Sequence, residues 1–293
     1  MTVSRQTQGY LLGFVAVVIF GLTLPFTRTA VAELDPLFVS IGRTVLAGAV
    51  AAALLIVARQ PIPRNGDLLR LVSTAWGIVI GFPVLSAIAM QWAPASHGGV
   101  VLGALPLATA VMSAIFAAER PSRAFWLWSI AGCAAVIVFA LWDGGAALHI
   151  ADSLLVLAVI AAAAGYAIGG DLSRRLGGWQ VICWALVVAL PVTVPALLFL
   201  LPSTNWSASP AAWNSFVYLA LMSQLLGFFA WNKGLALGGV AKVGQVQLLQ
   251  IFVTIAASAL LLGETITVRT PVFAVIVAVC VWFGRNARVA RAV

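Results

Sequence analysis

Five residues of one passage, Gly99, Thr109, Ser113, Ala114 and Glu119, recur 145 positions downstream as Gly244, Thr254, Ser258, Ala259 and Glu264. Each copy runs through an apolar segment of helix length and stops at its glutamate. Apolar segments match one another cheaply, because few residue types compose them. The polar matches are more demanding. Threonine followed by serine at i, i+4 puts both hydroxyls on one helix face, and the glutamate follows at the same offset in both copies. The chain is thereby constrained to two related halves. The number of apolar segments in each half decides how those halves sit.

Hydrophobic residues make up 63% of the chain and charged residues 8%, against about 25% charged in ordinary soluble proteins. Mean hydropathy is +1.10. A membrane span needs about 20 mainly apolar residues. Ten stretches qualify: 10–31, 37–58, 68–92, 97–118 and 125–142, then 153–172, 180–201, 212–237, 240–263 and 271–285. Five spans per half is an odd number, so the second half enters the bilayer inverted relative to the first. The expected fold is an all-α membrane protein. Its ten transmembrane helices form two inverted five-helix repeats, 1–145 and 146–293, around a central cavity. Inverted repeats are a common architecture of secondary transporters.

The net charge of +8 would suggest nucleic acid in a soluble chain. Its placement points to a bilayer instead. With the N-terminus inside, the cytoplasmic segments hold Arg5, Arg59, Arg64, Arg70, Arg120, Arg123, Arg174, Arg175, Arg285, Arg288, Arg291 and Lys242. The opposite face holds Glu33, Asp35, Asp143 and Asp152, with Arg269 and Arg28. Lysine and arginine bias sets orientation, so both termini are expected in the cytoplasm. No nucleic-acid partner is expected. Arg5, an apolar run and Ala30-Val31-Ala32 imitate a signal peptide, but the run is too long for an h-region and Arg28 interrupts it. Cys133, Cys183 and Cys280 all fall inside apolar spans with no metal or disulfide spacing.

The segment 87–138, with Glu119 closing the fourth span and Gly132 after it, resembles the first half of an EamA-type transporter of the drug/metabolite superfamily. The segment 231–281, with Gly263-Glu264, resembles the second half. The likeness covers essentially the whole chain and is nearest to YddG-type aromatic amino acid exporters of bacterial inner membranes. Two positions depart from the family pattern: Phe20-Gly21 stands where Trp-Gly is common, and Ile251 where a proline is usual. The resemblance implies a multi-pass inner-membrane protein that exports amino acids and related metabolites through a cavity between its halves. The partners it implies are a small-molecule substrate and the lipid bilayer. A monomer with no cofactor and no metal is expected.

Polar side chains inside spans point to a pathway, because lipid-facing polarity is costly. Gln247, Gln250, Thr254 and Ser258 share one face of span nine. The two glutamines are assigned to the cavity, and Thr254 and Ser258 to hydrogen bonds between helices. Gln224, Phe228, Trp231 and Asn232 share a face of span eight. Phe82, Ser86 and Met90 do so in span three. Thr23 precedes Pro25 in span one, and Tyr166 sits among glycines in span six. An uncharged, aromatic-rich cavity suits an aromatic or apolar amino acid. Selectivity is expected where the copies differ: Leu102 against Gln247, Leu105 against Gln250, Ser86 against Trp231. Pro25, Pro83 and Pro106 are hinge candidates, since such breaks bend spans or expose backbone groups.

His97 opens span four and is a candidate gate or proton sensor. Arg43 lies deep in span two and is expected to snorkel or to pair with Glu33 or Asp35, with a substrate carboxylate as second choice. Glu119 and Glu264 are expected to hold the following connections, with Arg123 and Arg269 as partners. No aspartate or glutamate sits mid-span, which favours facilitated transport or coupling through His97 over a carboxylate-driven pump. A drug exporter of the same fold is the alternative. A membrane enzyme lacks a positioned acid/base cluster, since the only histidines are His97 and His149. There is no nucleotide-binding P-loop and no filter-like run for a channel.

Overall fold

A computed structural model describes residues 4–117, 119–144, 150–263, 269–287 and 289–291. Among these, eight helices are long and apolar enough to cross a bilayer. They are α1 (Arg5–Val31), α2 (Pro36–Val57), α3 (Gly66–Ala89), α4 (Ala95–Phe116), α6 (Ile150–Leu176), α7 (Gly178–Ser203), α8 (Pro210–Gly238) and α9 (Val240–Leu262). Two more helices, α5 (Arg123–Gly144) and α10 (Arg269–Asn286), follow α4 and α9. Helices dominate because a segment in hydrocarbon must satisfy its backbone internally. One short exception sits at the ends of spans. Strands β1 (Glu119–Pro121) and β2 (Val289–Arg291) pair antiparallel, Glu119 opposite Arg291.

The halves share their irregularities as well as their helices. A π-helical stretch, Ala75–Gly81, interrupts α3, and another, Leu219–Leu226, interrupts α8. A 3₁₀ turn, Leu102–Ala104, interrupts α4, and one at Gln245–Leu249 interrupts α9. At the 145-residue offset each first-half segment falls within its second-half counterpart. Packing follows the same correspondence. α1 lies on α8 as α6 lies on α3, α6 lies on α4 as α1 lies on α9, and the matched helices α2 and α7, and α5 and α10, pack on each other.

Small residues let these helices approach. A Cβ added at Gly99 would stand 3.0 Å from Thr254 Cγ2, and one at Gly244 would stand 3.3 Å from Thr109 Cγ2. Each glycine of the repeated passage thus faces the threonine of the other copy. The central core, built from Val17, Leu24, Ile78, Leu105, Leu186 and Trp231 among others, lies between the halves. Lipid-sized apolar side chains such as Ile56, Val57, Leu198 and Phe199 point outward.

At one end of the bundle, Arg70 pairs with Asp171 at 2.9 Å, Arg175 with Asp67 at 2.5 Å and Arg174 with Glu119 at 3.0 Å. At the other end Glu33 accepts the Ser209 N–H at 2.7 Å and its hydroxyl at 2.5 Å. Those two bonds hold the Glu33 carboxyl below the usual carboxylate range.

Candidate functional site

Proline chemistry positions the centre of the molecule. Pro83 has no N–H, so the Val79 carbonyl four residues earlier loses its helical donor. Thr44 Oγ1 and Gln224 Nε2 each donate to that carbonyl at 3.0 Å. Gln224 comes from the matching π stretch of α8, so one half completes the broken helix of the other. Pro25 acts alike: the Gly21 carbonyl it frees accepts from Thr254 Oγ1 at 2.9 Å. Pro106 follows the 3₁₀ turn of α4.

With its amide N–H engaged on Val79, Gln224 turns Oε1 toward Arg43, whose Nη2 donates to it at 2.5 Å. The same nitrogen lies 3.4 Å from Ser223 Oγ, which bonds Thr23 Oγ1 at 2.8 Å. Arg43 is 3% exposed, and its Nε has no partner. Among the described residues no carboxylate pairs with it. The expected pairing with Glu33 or Asp35, or snorkelling to the surface, is therefore corrected. Asp35 caps its own helix, accepting from Leu37 N at 2.8 Å and Phe38 N at 3.0 Å. Glu33 is taken by Ser209. Local donors satisfy both acids, while Arg43 sits about 12 Å further along α2 by helix rise.

A small cavity surrounds this network. Phe20 and Thr23 reach it from α1, Arg43 from α2, Ile78 and Phe82 from α3, and Leu102 and Leu105 from α4. Tyr166 of α6, Ser223, Gln224 and Phe228 of α8 and Gln250 of α9 complete the wall. The volume open to a water molecule's centre is about 20 Å³, room for about one water. Small-molecule pockets run to about 300–1,000 Å³, so the cavity as it stands is too tight for an amino acid.

Six of the residues singled out in the sequence meet here: Thr23, Phe82, Tyr166, Gln224, Phe228 and Gln250. Trp231 is fully buried one layer behind, its ring 6.0 Å from Phe20 and 5.3 Å from Tyr166. The Gln247 amide lies beside the Tyr166 hydroxyl but outside full hydrogen-bond geometry. Ser86 returns its hydroxyl to Phe82 O at 2.7 Å, and Met90 packs at Gly98. Asn232 donates to Gly178 O at 3.2 Å, tying α8 to α7. None of these five lines the cavity. His97 lies apart from it, bonded to Asp152 at 2.6 Å where α4 and α6 begin. Phe20, Ile78 and Ser223 line the cavity without being site candidates in the sequence: Phe20 stands out there only as a departure from the family's Trp-Gly pattern, Ser223 lies beside Gln224, and Ile78 is the match of Ser223 in the other copy. Apolar residues in an apolar span give no signal, and the copy-to-copy contrast at Ile78 was the one available.

Glu119 takes other partners than Arg123, which is exposed. Its carboxylate accepts from Val240 N at 2.9 Å and Ala241 N at 2.7 Å, and pairs with Arg174. Free N–H groups at a helix start attract a carboxylate more strongly than a solvated guanidinium one turn away. Glu264 and His149 lie outside the described residues. No cluster of metal-ligating side chains occurs among the described ones.

The EamA-like transporter family model matches this chain twice, over residues 7–141 and 149–283. An uncharacterized transporter, YdeK, of Bacillus subtilis is 42% identical over 284 residues, covering 97% of this chain and 99% of that one. A protein of Salmonella typhimurium described as a probable amino-acid metabolite efflux pump is 27% identical, covering 87% of each. A probable terminal-alkyne amino-acid exporter of Streptantibioticus cattleyicolor is 27% identical over 66% of each. A crystal structure of an 18% identical protein superposes with a TM-score of 0.74 across 96% of this chain and 97% of its own, a likeness of fold. The chain belongs to the EamA-like transporter family.

Proposed function

We propose that this EamA-family membrane protein exports amino acids, apolar and aromatic ones foremost, by alternating access. The carrying observation is Arg43: a buried guanidinium with no carboxylate partner among the described residues, opening on a small cavity walled by Phe20, Phe82, Tyr166 and Phe228. A substrate carboxylate supplies the missing charge, and the rings suit an apolar side chain. The names of the Salmonella and Streptantibioticus relatives support the same class. The buried cation opposes a cationic dye, since bringing like charge into low dielectric is costly.

In this reading the chain spans the membrane ten times, as inverted halves 1–145 and 146–293 with both termini in the cytoplasm. The crossed contacts of Gly99 with Thr254 and Gly244 with Thr109 support a two-fold relation between the halves, and the odd number of spans in each half makes that relation an inversion. A pair in which residue i meets j and j meets i is the signature of a two-fold relation. The protein works as a monomer, its cavity opening to either side as the halves rock. Counterflow in proteoliposomes tests the proposal. Labelled leucine, phenylalanine and tryptophan are expected to exchange, ethidium is not, and Arg43→Gln is expected to lose at least about tenfold in rate, the equivalent of 1.4 kcal/mol. Undiminished amino acid exchange by Arg43→Gln sinks the assignment of Arg43. Dye transport in place of amino acid exchange sinks the substrate class.

A further inference from the structure

The cavity is not symmetric, and at four matched positions in or beside it the two copies differ in kind. Ile78 corresponds to Ser223, Val79 to Gln224, Leu102 to Gln247 and Leu105 to Gln250. In each of these four pairs the first copy is apolar and the second polar, and in two of them, Ile78 with Ser223 and Leu105 with Gln250, both members line the cavity. The wall built by α3 and α4 presents Ile78, Phe82, Leu102 and Leu105. The wall built by α8 and α9 presents Ser223, Gln224 and Gln250 beside Phe228, and Arg43 reaches across from α2 to bond with its polar part.

Two buried atoms in this cavity lack partners, and they are of opposite kind. Arg43 Nε is a donor and Gln250 Oε1 an acceptor. An unmade buried hydrogen bond costs about 1–3 kcal/mol, and a ligand carrying both an acceptor and a donor would satisfy the two atoms at once. An α-amino acid carries the complement of each: carboxylate oxygens to accept and an ammonium group to donate.

Resting on the amino acid reading above, we propose that the substrate binds in one orientation. Its carboxylate meets Arg43 and its ammonium group meets Gln250 Oε1, with the head on the second repeat's polar wall. Its side chain lies against Ile78, Phe82, Leu102 and Leu105 of the first repeat. The division assigns two kinds of selectivity to two halves. The second repeat with Arg43 recognises that the substrate is an amino acid, and the first repeat measures its side chain. Leu102 and Leu105 are specificity-determining residues in this scheme, and Gln250 is the ammonium receptor.

The test is competition by unlabelled analogues against labelled leucine exchange in proteoliposomes, read as ratios within each variant so that yield of folded protein cancels. The analogues are leucinamide, which lacks the carboxylate, 4-methylpentanoate, which lacks the amine, and tryptophan, which has the larger side chain. A site built to hydrogen-bond a group rejects the analogue without it, whereas apolar pockets discriminate by about 10–200-fold. Wild type is expected to prefer leucine to both truncated analogues by at least about tenfold. Gln250→Leu and the near-isosteric Gln250→Met are each expected to lose the preference over 4-methylpentanoate while keeping that over leucinamide. Arg43→Gln is expected to do the reverse, and Leu105→Ala to shift the tryptophan-to-leucine ratio by about tenfold. The orientation is overturned if Gln250 variants lose carboxylate discrimination instead, or if all ratios stay at wild-type values. Absence of amino acid exchange by wild type overturns the functional reading and the orientation with it.

Discussion

Gly99 lies against Thr254, close enough that a Cβ on the glycine would stand 3.0 Å from the threonine methyl. The same threonine donates to the Gly21 carbonyl that Pro25 leaves free. One side chain of the second copy thus fits a notch in the first and completes a third helix. Gly99→Ala is expected to lower stability by about 1–3 kcal/mol, the usual cost of overpacking. Adding Thr254→Ser removes the clashing methyl, keeps the hydroxyl and restores most of the loss. Melting temperatures in detergent check both steps. No recovery in the double variant sinks the steric account.

Gln224 bridges Arg43 and the Val79 carbonyl. Gln224→Leu strips partners from both, so a loss of about 2–4 kcal/mol is expected, more than one neutral hydrogen bond contributes. Pro83→Ala returns an N–H to the helix. In that background the penalty of Gln224→Leu is expected to shrink, because Val79 regains a donor. Equal penalties in the two backgrounds, measured by denaturant or thermal unfolding, contradict the role given to Pro83.

The Glu119 carboxylate closes one end of the molecule by capping α9 and pairing with Arg174. Glu119→Gln and Arg174→Ala are each expected to destabilise by about 1.5–3 kcal/mol, the range for charge-assisted bonds, and their effects are expected to be non-additive. Arg123→Ala is expected to stay within about 0.5 kcal/mol of wild type, as an exposed substitution does. A double-mutant cycle read by thermal unfolding decides the matter.

Glu33 titrates below its ordinary value because Ser209 donates to it twice. A carboxyl with a depressed native pKa adds stability above its unfolded pKa, near 4.5, and that contribution fades as pH falls through the native value. Wild type is expected to lose melting temperature more steeply than Glu33→Gln as the medium is acidified below about pH 4.5. Parallel acid profiles exclude Glu33 as a source of the slope.

His97 and Asp152 join the starts of α4 and α6. If that pair holds one end of the cavity shut, His97→Ala and Asp152→Asn change exchange rates in the same direction, and the double variant matches the singles. Additive effects in proteoliposome exchange separate the two residues.

Repetition, membrane class and the two matched halves were legible in the chain because they depend on composition, period and polar offset. Half of the expected cavity residues were legible too: Gln224, Phe228 and Gln250 stand out as polar or aromatic groups at helical spacing. Arg43 was misread. Glu33 and Asp35 precede it within a few turns of the chain, and nothing in the linear order tells that Ser209 and the start of α2 already satisfy them. Ser86, Met90 and Asn232 share helix faces with cavity residues, yet each meets a neighbouring turn or helix instead. A helix face spans more than one partner, so spacing narrows a site without selecting it.

The sequence by itself determined that this is a duplicated, bilayer-sized helical protein, since the hydrophobic effect and backbone satisfaction in lipid leave few other outcomes. Only the tertiary structure decided which half completes which. Val79 takes its donor from α8, Gly21 takes its own from α9, and Arg43 faces a small cavity with no carboxylate partner among the described residues. Those relations join residues about 145 to 233 positions apart. They follow from how two similar halves interlock, and no local pattern of residues encodes them.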